Sequence, residues 1–133
     1  IHAALVLWLA QFVGSISAGT TFKAFNFKQA GWTGCTFTGC QFVGCALDGI
    51  AITECQFIGC TFAQVSFPDS RMTGSSFLQC TWNDVDFDGG QWQDVTVRQC
   101  TGNGVRAHGL HGQRVDFTGS YFEQLDFSAA TIN

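Results

Sequence analysis

The sequence predicts an all-β solenoid, and three observations lead to this fold class. A large apolar residue returns at every fifth position from Phe22 to Val97 and again from Phe117 to Ile132. Two residues before most of these centres lies a small or apolar residue, and all seven cysteines occupy that position. Glycine often lies two residues after the centre. A period of five is neither that of a helix nor that of a simple strand, so each repeat is predicted to form one short strand and one corner.

The glycine-rich position accounts for the corner. The second central residue of a type II turn needs a positive φ, which glycine adopts without strain. Pro68 follows the centre Phe67 directly, at the first central position of such a turn, where a φ of about −65° is required. Four corners close a roughly square coil, so one coil is predicted to take twenty residues.

Residues twenty apart are therefore expected to stack in columns. The predicted core columns contain Phe37, Phe42, Phe57, Phe62, Phe67, Phe77, Trp82, Phe87, Trp92, Phe117, Phe122 and Phe127, together with Cys40, Cys60, Cys80 and Cys100. On the surface, Asp94 is expected to stack with Arg114, and Arg106 to lie between Asp86 and Asp126. Opposite charges that stack directly favour this register modestly. A chance match among so few charges is the alternative, and the twenty-residue period does not depend on them.

This pattern resembles that of the pentapeptide-repeat family, whose usual repeat is Ala-(Asp/Asn)-Leu-x-x. The resemblance covers about residues 20–133. The chain departs from the family pattern by using Cys or Val where Ala is usual, and Phe or Trp where Leu is usual. The resemblance implies a right-handed, four-sided parallel β-helix of about five to six coils.

Residues 1–19 form an apolar N-terminal segment without Asp, Glu, Lys or Arg. The segment is long enough for a membrane helix, which needs about 20 apolar residues, and its small residues before position 20 are also compatible with a targeting remnant. Alternatively, it is a cap or first coil, because residues 11–14 repeat the sequence of 41–44 in the same five-residue frame. We therefore expect a membrane helix or solenoid cap at 1–19 and a β-helix at 20–133.

The seven cysteines are expected to be buried, reduced thiols. Their number is odd, and none lies in a Cys-x-x-Cys pair of the kind that binds zinc. Stacked parallel side chains hold their Cβ atoms about 4.8 Å apart, which exceeds the ~3.5–4.5 Å of a disulfide. Thiols at these positions pack as small hydrophobic groups.

The pattern is interrupted between residues 100 and 114, where the centres become Gly102, Ala107 and Gly112. The loss of three large side chains predicts a narrower or distorted fifth coil, with a cavity beside Trp82 and Phe122. In the same stretch, His108 and His111 with the nearby arginines indicate either an anion or metal site or solvated surface residues. The second interpretation is favoured, because two histidines three apart on a turn are weak evidence for a site.

No catalytic constellation is found in the sequence. It contains no nucleophile elbow, phosphate-binding loop, zinc-binding helix motif or dinucleotide fingerprint. The acidic residues between 84 and 94 are predicted to point outward from flat faces, with no cleft that would shift their pKa. We therefore expect no enzyme activity, no cofactor and no metal. The net charge of −4 excludes a strongly basic protein of the kind that binds nucleic acid directly.

The sequence favours a non-enzymatic scaffold for protein–protein interaction, within a larger complex and in contact with a membrane through residues 1–18. Solenoid faces offer extended docking surfaces. The residues expected to contribute to an interaction surface are Asp84, Asp86, Asp88, Val43, Ile58 and Leu78. An uncapped coil end exposes a strand edge, which predicts a dimer or another covering partner.

The alternative function comes from the resemblance. Some members of the pentapeptide-repeat family are acidic proteins that mimic DNA and inhibit a type II topoisomerase such as gyrase. The negative charge of this chain is mild and is diluted by outward lysine and arginine residues. The sequence leaves open whether the protein is membrane-associated or cytoplasmic, and it does not identify the partner.

Overall fold

The computed structural model describes residues 11–132, which form a solenoid of short β-strands. Within that range there is no helix, and hence none long and apolar enough to cross a membrane. The strands are β1 (Gln11–Val13), β2 (Ile16–Ala18), β3 (Thr21–Lys23), β4 (Gly31–Thr33), β5 (Thr36–Thr38), β6 (Gln41–Val43), β7 (Ala51–Thr53), β8 (Gln56–Ile58), β9 (Thr61–Ser66), β10 (Arg71–Thr73), β11 (Ser76–Leu78), β12 (Thr81–Asp86), β13 (Gln91–Arg98), β14 (Thr101–Arg106), β15 (His111–Asp116), β16 (Tyr121–Asp126) and β17 (Thr131–Ile132).

All strand pairs of the described chain are parallel and join residues twenty apart. Phe57 of β8 lies between Phe37 of β5 and Phe77 of β11, and the same offset holds in the other sheet. The predicted twenty-residue coil is therefore confirmed, and residues 11–132 complete about six coils.

The coil has four faces, which we number in chain order and define by their central residues. The first face is centred on Phe12, Trp32, Ile52, Met72, Trp92, Gly112 and Ile132, and the second on Ser17, Phe37, Phe57, Phe77, Val97 and Phe117. The third face is centred on Phe22, Phe42, Phe62, Trp82, Gly102 and Phe122, and the fourth on Phe27, Leu47, Phe67, Phe87, Ala107 and Phe127. The first two faces form an eleven-stranded sheet because β13 runs through the corner between them, and the third is a six-stranded sheet.

The corners have the backbone geometry that the glycine pattern predicts. Every residue two positions after a centre, from Gly14 to Ala129, has a positive φ. After the fourth face this residue lies in a hydrogen-bonded turn: around Pro68, the Ser70 N–H donates to the Phe67 carbonyl at 3.2 Å, and Asp69 has a φ of 58°. Half of the corner residues are not glycine, and each of these carries some backbone strain.

Every corner through which a strand continues has Val or Leu as its inward residue. Six strands continue through a corner, and the inward residues there are Val65, Val85, Val95, Val105, Val115 and Leu125. The strands stop at every corner that carries a cysteine. A short γ-heteroatom at this position can replace strand hydrogen bonds, whereas Val and Leu have none to offer.

The cysteine side chains complete the hydrogen bonding of these broken corners. The Cys80 Sγ–H donates to the Phe57 carbonyl at 3.2 Å, and the Cys80 backbone N–H donates to the Cys100 Sγ at 3.4 Å. Ser120 continues the column, since its hydroxyl accepts from the Cys100 N–H at 3.1 Å and donates to the Val97 carbonyl at 2.7 Å. The column thus satisfies backbone groups that the corner leaves unpaired.

The core consists of stacked rings along the coil axis. Phe57 lies between Phe37 and Phe77, with ring centroids 5.0 and 4.8 Å away and the planes nearly parallel. The predicted core residues up to Cys100 are buried. The rings that follow, Phe117, Phe122 and Phe127, are only partly buried. They lie in the last coil, which only β17 follows among the described residues.

The predicted cavity beside Trp82 and Phe122 is filled, so that prediction was wrong. These two rings lie two coils apart, yet they stack across Gly102 with centroids 5.5 Å apart. A Cβ built on Gly102 would lie 2.8 Å from Cδ1 of Phe122 and 2.8 Å from the Trp82 carbonyl oxygen. The indole and the phenyl ring therefore occupy the volume that the missing side chain leaves.

The coil extends into the predicted N-terminal segment. Strands β1 and β2 pair with β4 and β5, and Phe12 stacks on Trp32 with centroids 5.5 Å apart. The rest of that segment, residues 1–10, lies outside the described residues, and a membrane contact there stays a prediction.

Candidate interaction surfaces

Three of the five residues in each repeat point outward, so the four faces display most of the polar residues of the chain. Side chains alternate across a strand, which places the residues flanking each centre on the surface. Among residues 11–132, no three His, Cys, Asp or Glu side chains come close enough together to hold a metal ion. Flat solenoid faces that display polar side chains offer surfaces for binding.

Two of the predicted apolar contact residues form a patch on the second face. Leu78 of β11 stacks directly on Ile58 of β8, and both side chains are half-buried. They line a depression of about 480 Å³ together with Gln79, Arg98 and Gln99. We call Ile58 and Leu78 the apolar patch; its rim is polar and carries one guanidinium group.

The third predicted apolar residue, Val43, lies elsewhere. It belongs to β6 on the third face, where Lys23 and Ala63 are its neighbours in register. The structure therefore does not place it in the apolar patch. The five-residue frame alone could not separate these positions, because the face is set by the position within the twenty-residue coil.

The predicted acidic residues lie on the fourth face and at its entry corner. Asp84 is the corner residue, while Asp86 and Asp88 flank the centre Phe87. The Asp88 backbone N–H donates to Asp86 Oδ1 at 2.8 Å. Partial burial raises the pKa of Asp86, and the neighbouring Asp88 carboxylate acts in the same direction. This half-buried carboxylate is part of an acidic surface that extends to Asp48 and Asp126 on the same face.

Ion pairs connect the coils at the C-terminal end. The predicted pair is confirmed: the Arg114 guanidinium donates to both carboxylate oxygens of Asp94 and lowers the pKa of that carboxyl. Arg106 lies between Asp86 and Asp126 in register, as predicted, but its guanidinium pairs with Asp88 at 2.7 Å.

A further ion pair was not predicted. The Arg98 guanidinium donates to Asp116 Oδ2 at 3.0 Å. Hydrogen bonds from the hydroxyl and backbone N–H of Thr118, followed by the contact with Arg98, lower the pKa of Asp116 to about 2. The partners are eighteen residues apart, so a search for pairs twenty apart misses them.

The two histidines of the irregular stretch are not brought together. His108 lies on the fourth face, where its ring Nδ1 is 2.8 Å from the Ser128 hydroxyl. His111 begins β15 on the first face, beside Gln91 in register. The structure therefore places the two side chains on different faces.

All seven thiols are buried and unbridged. Burial is the main cause that raises the pKa of Cys40, Cys45 and Cys55, in the last case to about 11. A buried thiol with a raised pKa is a poor nucleophile, because the thiolate is the reactive form. Cys40, Cys45 and Cys55 also donate hydrogen bonds to backbone carbonyl groups, so they serve the structure of the corners.

Comparisons with known proteins agree with this architecture. A family model described as a pentapeptide repeat region matches residues 30–107 and 50–127. A search of curated proteins finds no significant match.

Among solved structures, a trypsin-treated variant of QnrB1, a plasmid-mediated fluoroquinolone resistance protein, has a TM-score of 0.54 and 15% sequence identity, over 93% of this chain and 89% of that chain. Full-length QnrB1 has a TM-score of 0.50 and 14% identity, over 93% and 92% of the two chains. A pentapeptide repeat protein from the cyanobacterium Cyanothece 51142 has a TM-score of 0.46 and 8% identity, over 92% and 91%. At these identities the likeness to the two QnrB1 structures shows a shared fold.

Proposed function

Because the chain belongs to the pentapeptide-repeat family, we propose that it is a non-enzymatic scaffold that binds a protein partner through a face of its β-helix. The observation that carries this proposal is the apolar patch of Ile58 and Leu78 on the second face. The family model that matches is not one of a catalytic family, and the sequence contains no catalytic motif; both support the non-enzymatic part of the proposal.

The surroundings of the patch suit a protein interface. Two adjacent branched apolar side chains lie in a depression, and Gln79, Gln99 and Arg98 border it. An apolar centre with a polar rim is the usual arrangement in protein–protein interfaces, and arginine is enriched there. The neighbouring coil has Thr38 in the same column, so the apolar character is confined to two coils.

A charge placed in the patch tests the proposal. The full chain carrying a photo-crosslinker at position 56, beside the patch, is used to capture the partner, and binding is then measured with purified components. Leu78→Asp is expected to abolish binding, because it removes an apolar contact and buries a carboxylate beside Arg98, which is already paired with Asp116. Thr38→Asp adds the same charge on the same column outside the patch and should leave binding within about twofold of wild type. Equal binding by both variants would place the interface elsewhere.

The second candidate function is inhibition of a type II topoisomerase by mimicry of DNA. The observation that favours it is the fourth face, where Asp48, Asp86, Asp88 and Asp126 present carboxylates along the coil axis. Lys28 and Arg106 on the same face offset part of that charge. A supercoiling assay with gyrase tests this function: inhibition that weakens with salt and with Asp86→Asn would support it. No inhibition at micromolar protein would remove it.

A second copy of the chain is a further proposed partner, at the last coil. Tyr121 and Leu125 on β16 are 65% and 40% exposed. Among the described strands β16 is at the edge of the six-stranded sheet, and apolar side chains beside a strand edge favour association. Light scattering on the full chain distinguishes monomer from dimer, and Leu125→Lys should shift a dimer to monomer. Flotation with liposomes tests the separate prediction of a membrane contact through residues 1–18.

A further inference from the structure

The first face carries a second depression, which is polar. It has a volume of about 310 Å³ and lies between two columns of outward side chains. One column is Arg71, Gln91 and His111, and the other is Thr73, Gln93 and Gln113. We call these six residues the polar trough. It spans strands β10, β13 and β15, so its length is about two strand spacings, or ~9.6 Å.

The side chains of the polar trough have no hydrogen-bond partner among the described residues. Some polar side chains elsewhere in the C-terminal half are engaged: Gln79 donates to Gln99, and His108 contacts Ser128. Of the four arginines, three pair with aspartates, and within residues 11–132 only Arg71 has no carboxylate within 4.0 Å. A guanidinium group without a counter-ion beside five free polar groups is an arrangement suited to a ligand.

The chemistry of the trough selects an anion that also carries hydroxyl groups. No Asp or Glu lines it. A guanidinium group binds phosphate or carboxylate through two parallel hydrogen bonds. The amides of Gln91, Gln93 and Gln113 each donate and accept, which suits hydroxyl groups, and the volume is at the lower end of ligand sites in proteins.

We propose that the polar trough binds a small hydroxylated oxyanion, such as a sugar phosphate or a sugar acid. Arg71 holds the oxyanion at one end of the trough. The glutamine amides and the Thr73 hydroxyl hydrogen-bond to the sugar hydroxyls, and the His111 ring closes the other end. This site lies on a different face from the apolar patch and does not depend on it.

Titration of the full chain with three sugars tests the site by two-dimensional NMR of backbone and side-chain N–H groups. Glucose 6-phosphate and glucuronate distinguish the two oxyanions, and neutral glucose reports the hydroxyl groups alone. Saturable shifts are expected at Arg71, Gln91 and Gln93 with one or both anions, and none with glucose up to the same concentration. Inorganic phosphate alone should bind more weakly than glucose 6-phosphate.

Two charge variants with equal net charge make the test specific. Arg71→Gln removes the charged hydrogen bonds and should weaken binding about tenfold or more. Lys23→Gln removes one positive charge from the third face and should change affinity by less than about twofold. Both residues are exposed, so neither variant is expected to unfold the protein. The proposal is overturned if neither anion gives saturable shifts at the trough, if glucose binds as well as the anions, or if both variants weaken binding equally.

Discussion

Trp82 and Gly102 form a compensating pair, and this relation can be measured with a double-mutant cycle. The two residues are opposite each other in β12 and β14, and the Trp82 ring covers the space above Gly102 to reach Phe122. If the large Trp82 side chain compensates for the absent side chain of Gly102, a smaller residue at position 82 should reduce the loss of stability that Gly102→Ala causes. The single variants are Trp82→Leu and Gly102→Ala.

The magnitudes follow from the contacts. Trp82 is 1% exposed, and truncation of a buried Trp to Ala costs about 3–5 kcal/mol, so the change to Leu should cost about 2–3 kcal/mol. The Cβ of Gly102→Ala meets Phe122 Cδ1 at 2.8 Å, the Trp82 carbonyl oxygen at 2.8 Å and Val105 Cγ2 at 3.1 Å. Overpacking costs about 1–3 kcal/mol, and replacing a glycine inside a strand returns about 0.5–1 kcal/mol.

The loss of stability in the double variant should therefore be smaller than the sum of the losses in the two single variants, by about 1 kcal/mol. Recovery is partial, because Phe122 can move into the space that Leu leaves but the carbonyl contact remains. Urea unfolding followed by circular dichroism measures each free energy, with an unchanged denaturant slope as the criterion of a comparable transition. Trp32→Leu combined with Gly102→Ala is the control, since these sites do not touch and should add within about 0.5 kcal/mol. Additivity in the Trp82 pair would refute the compensation.

Further predictions concern the core, the thiol column and pH. Phe57→Ala should cost about 3–5 kcal/mol of the free energy of unfolding, whereas Thr38→Ala on the surface should cost less than about 0.5 kcal/mol; equal costs would contradict the assignment of inside and outside. Cys80→Ala should destabilise the protein by about 1–3 kcal/mol because it leaves buried backbone groups unpaired, and Cys80→Ser should recover part of the loss; identical urea midpoints for the two variants would remove the role of the hydrogen bonds. The pKa of Asp116 is lowered to about 2 in the folded state. Its contribution to the free energy of unfolding is therefore present above the unfolded pKa and is lost as pH falls from about 4 to about 2. Asp116→Asn should flatten the loss of stability over that pH window.

The fold could be predicted from the sequence because two independent periods constrain it. The five-residue period places Phe37, Phe57 and Phe77 inside, and the twenty-residue period places them in one column. Both were confirmed, together with the corner geometry at Pro68. The filling of the fifth coil was not predicted, although the sequence holds a signal for it: Trp82 stands twenty residues before Gly102, and Trp92 stands twenty before Gly112. The loss of side-chain volume in one coil is matched by a larger side chain in the preceding coil.

The surface was less predictable because the outward residues are not constrained by the core. The frame gives the Cα position of an arginine, but its long side chain reaches diagonally, so Arg98 finds Asp116 and Arg106 finds Asp88 eighteen residues away. The polar trough has a weak signal, which is a run of Gln, Arg and His at equivalent positions in three successive coils.

The division between inside and outside also limits what can define function in this fold. Inward positions respond to volume and to corner hydrogen bonding, as the alternation between cysteine and valine corners shows. Outward positions can change without a cost to the coil, so a face becomes specific only when neighbouring coils carry matched side chains in one column. Two such places in the described chain are Ile58 with Leu78 on the second face and the column headed by Arg71 on the first. Since the first is apolar and the second is cationic and rich in amides, they select different ligands, and a variant in either should leave binding at the other unchanged.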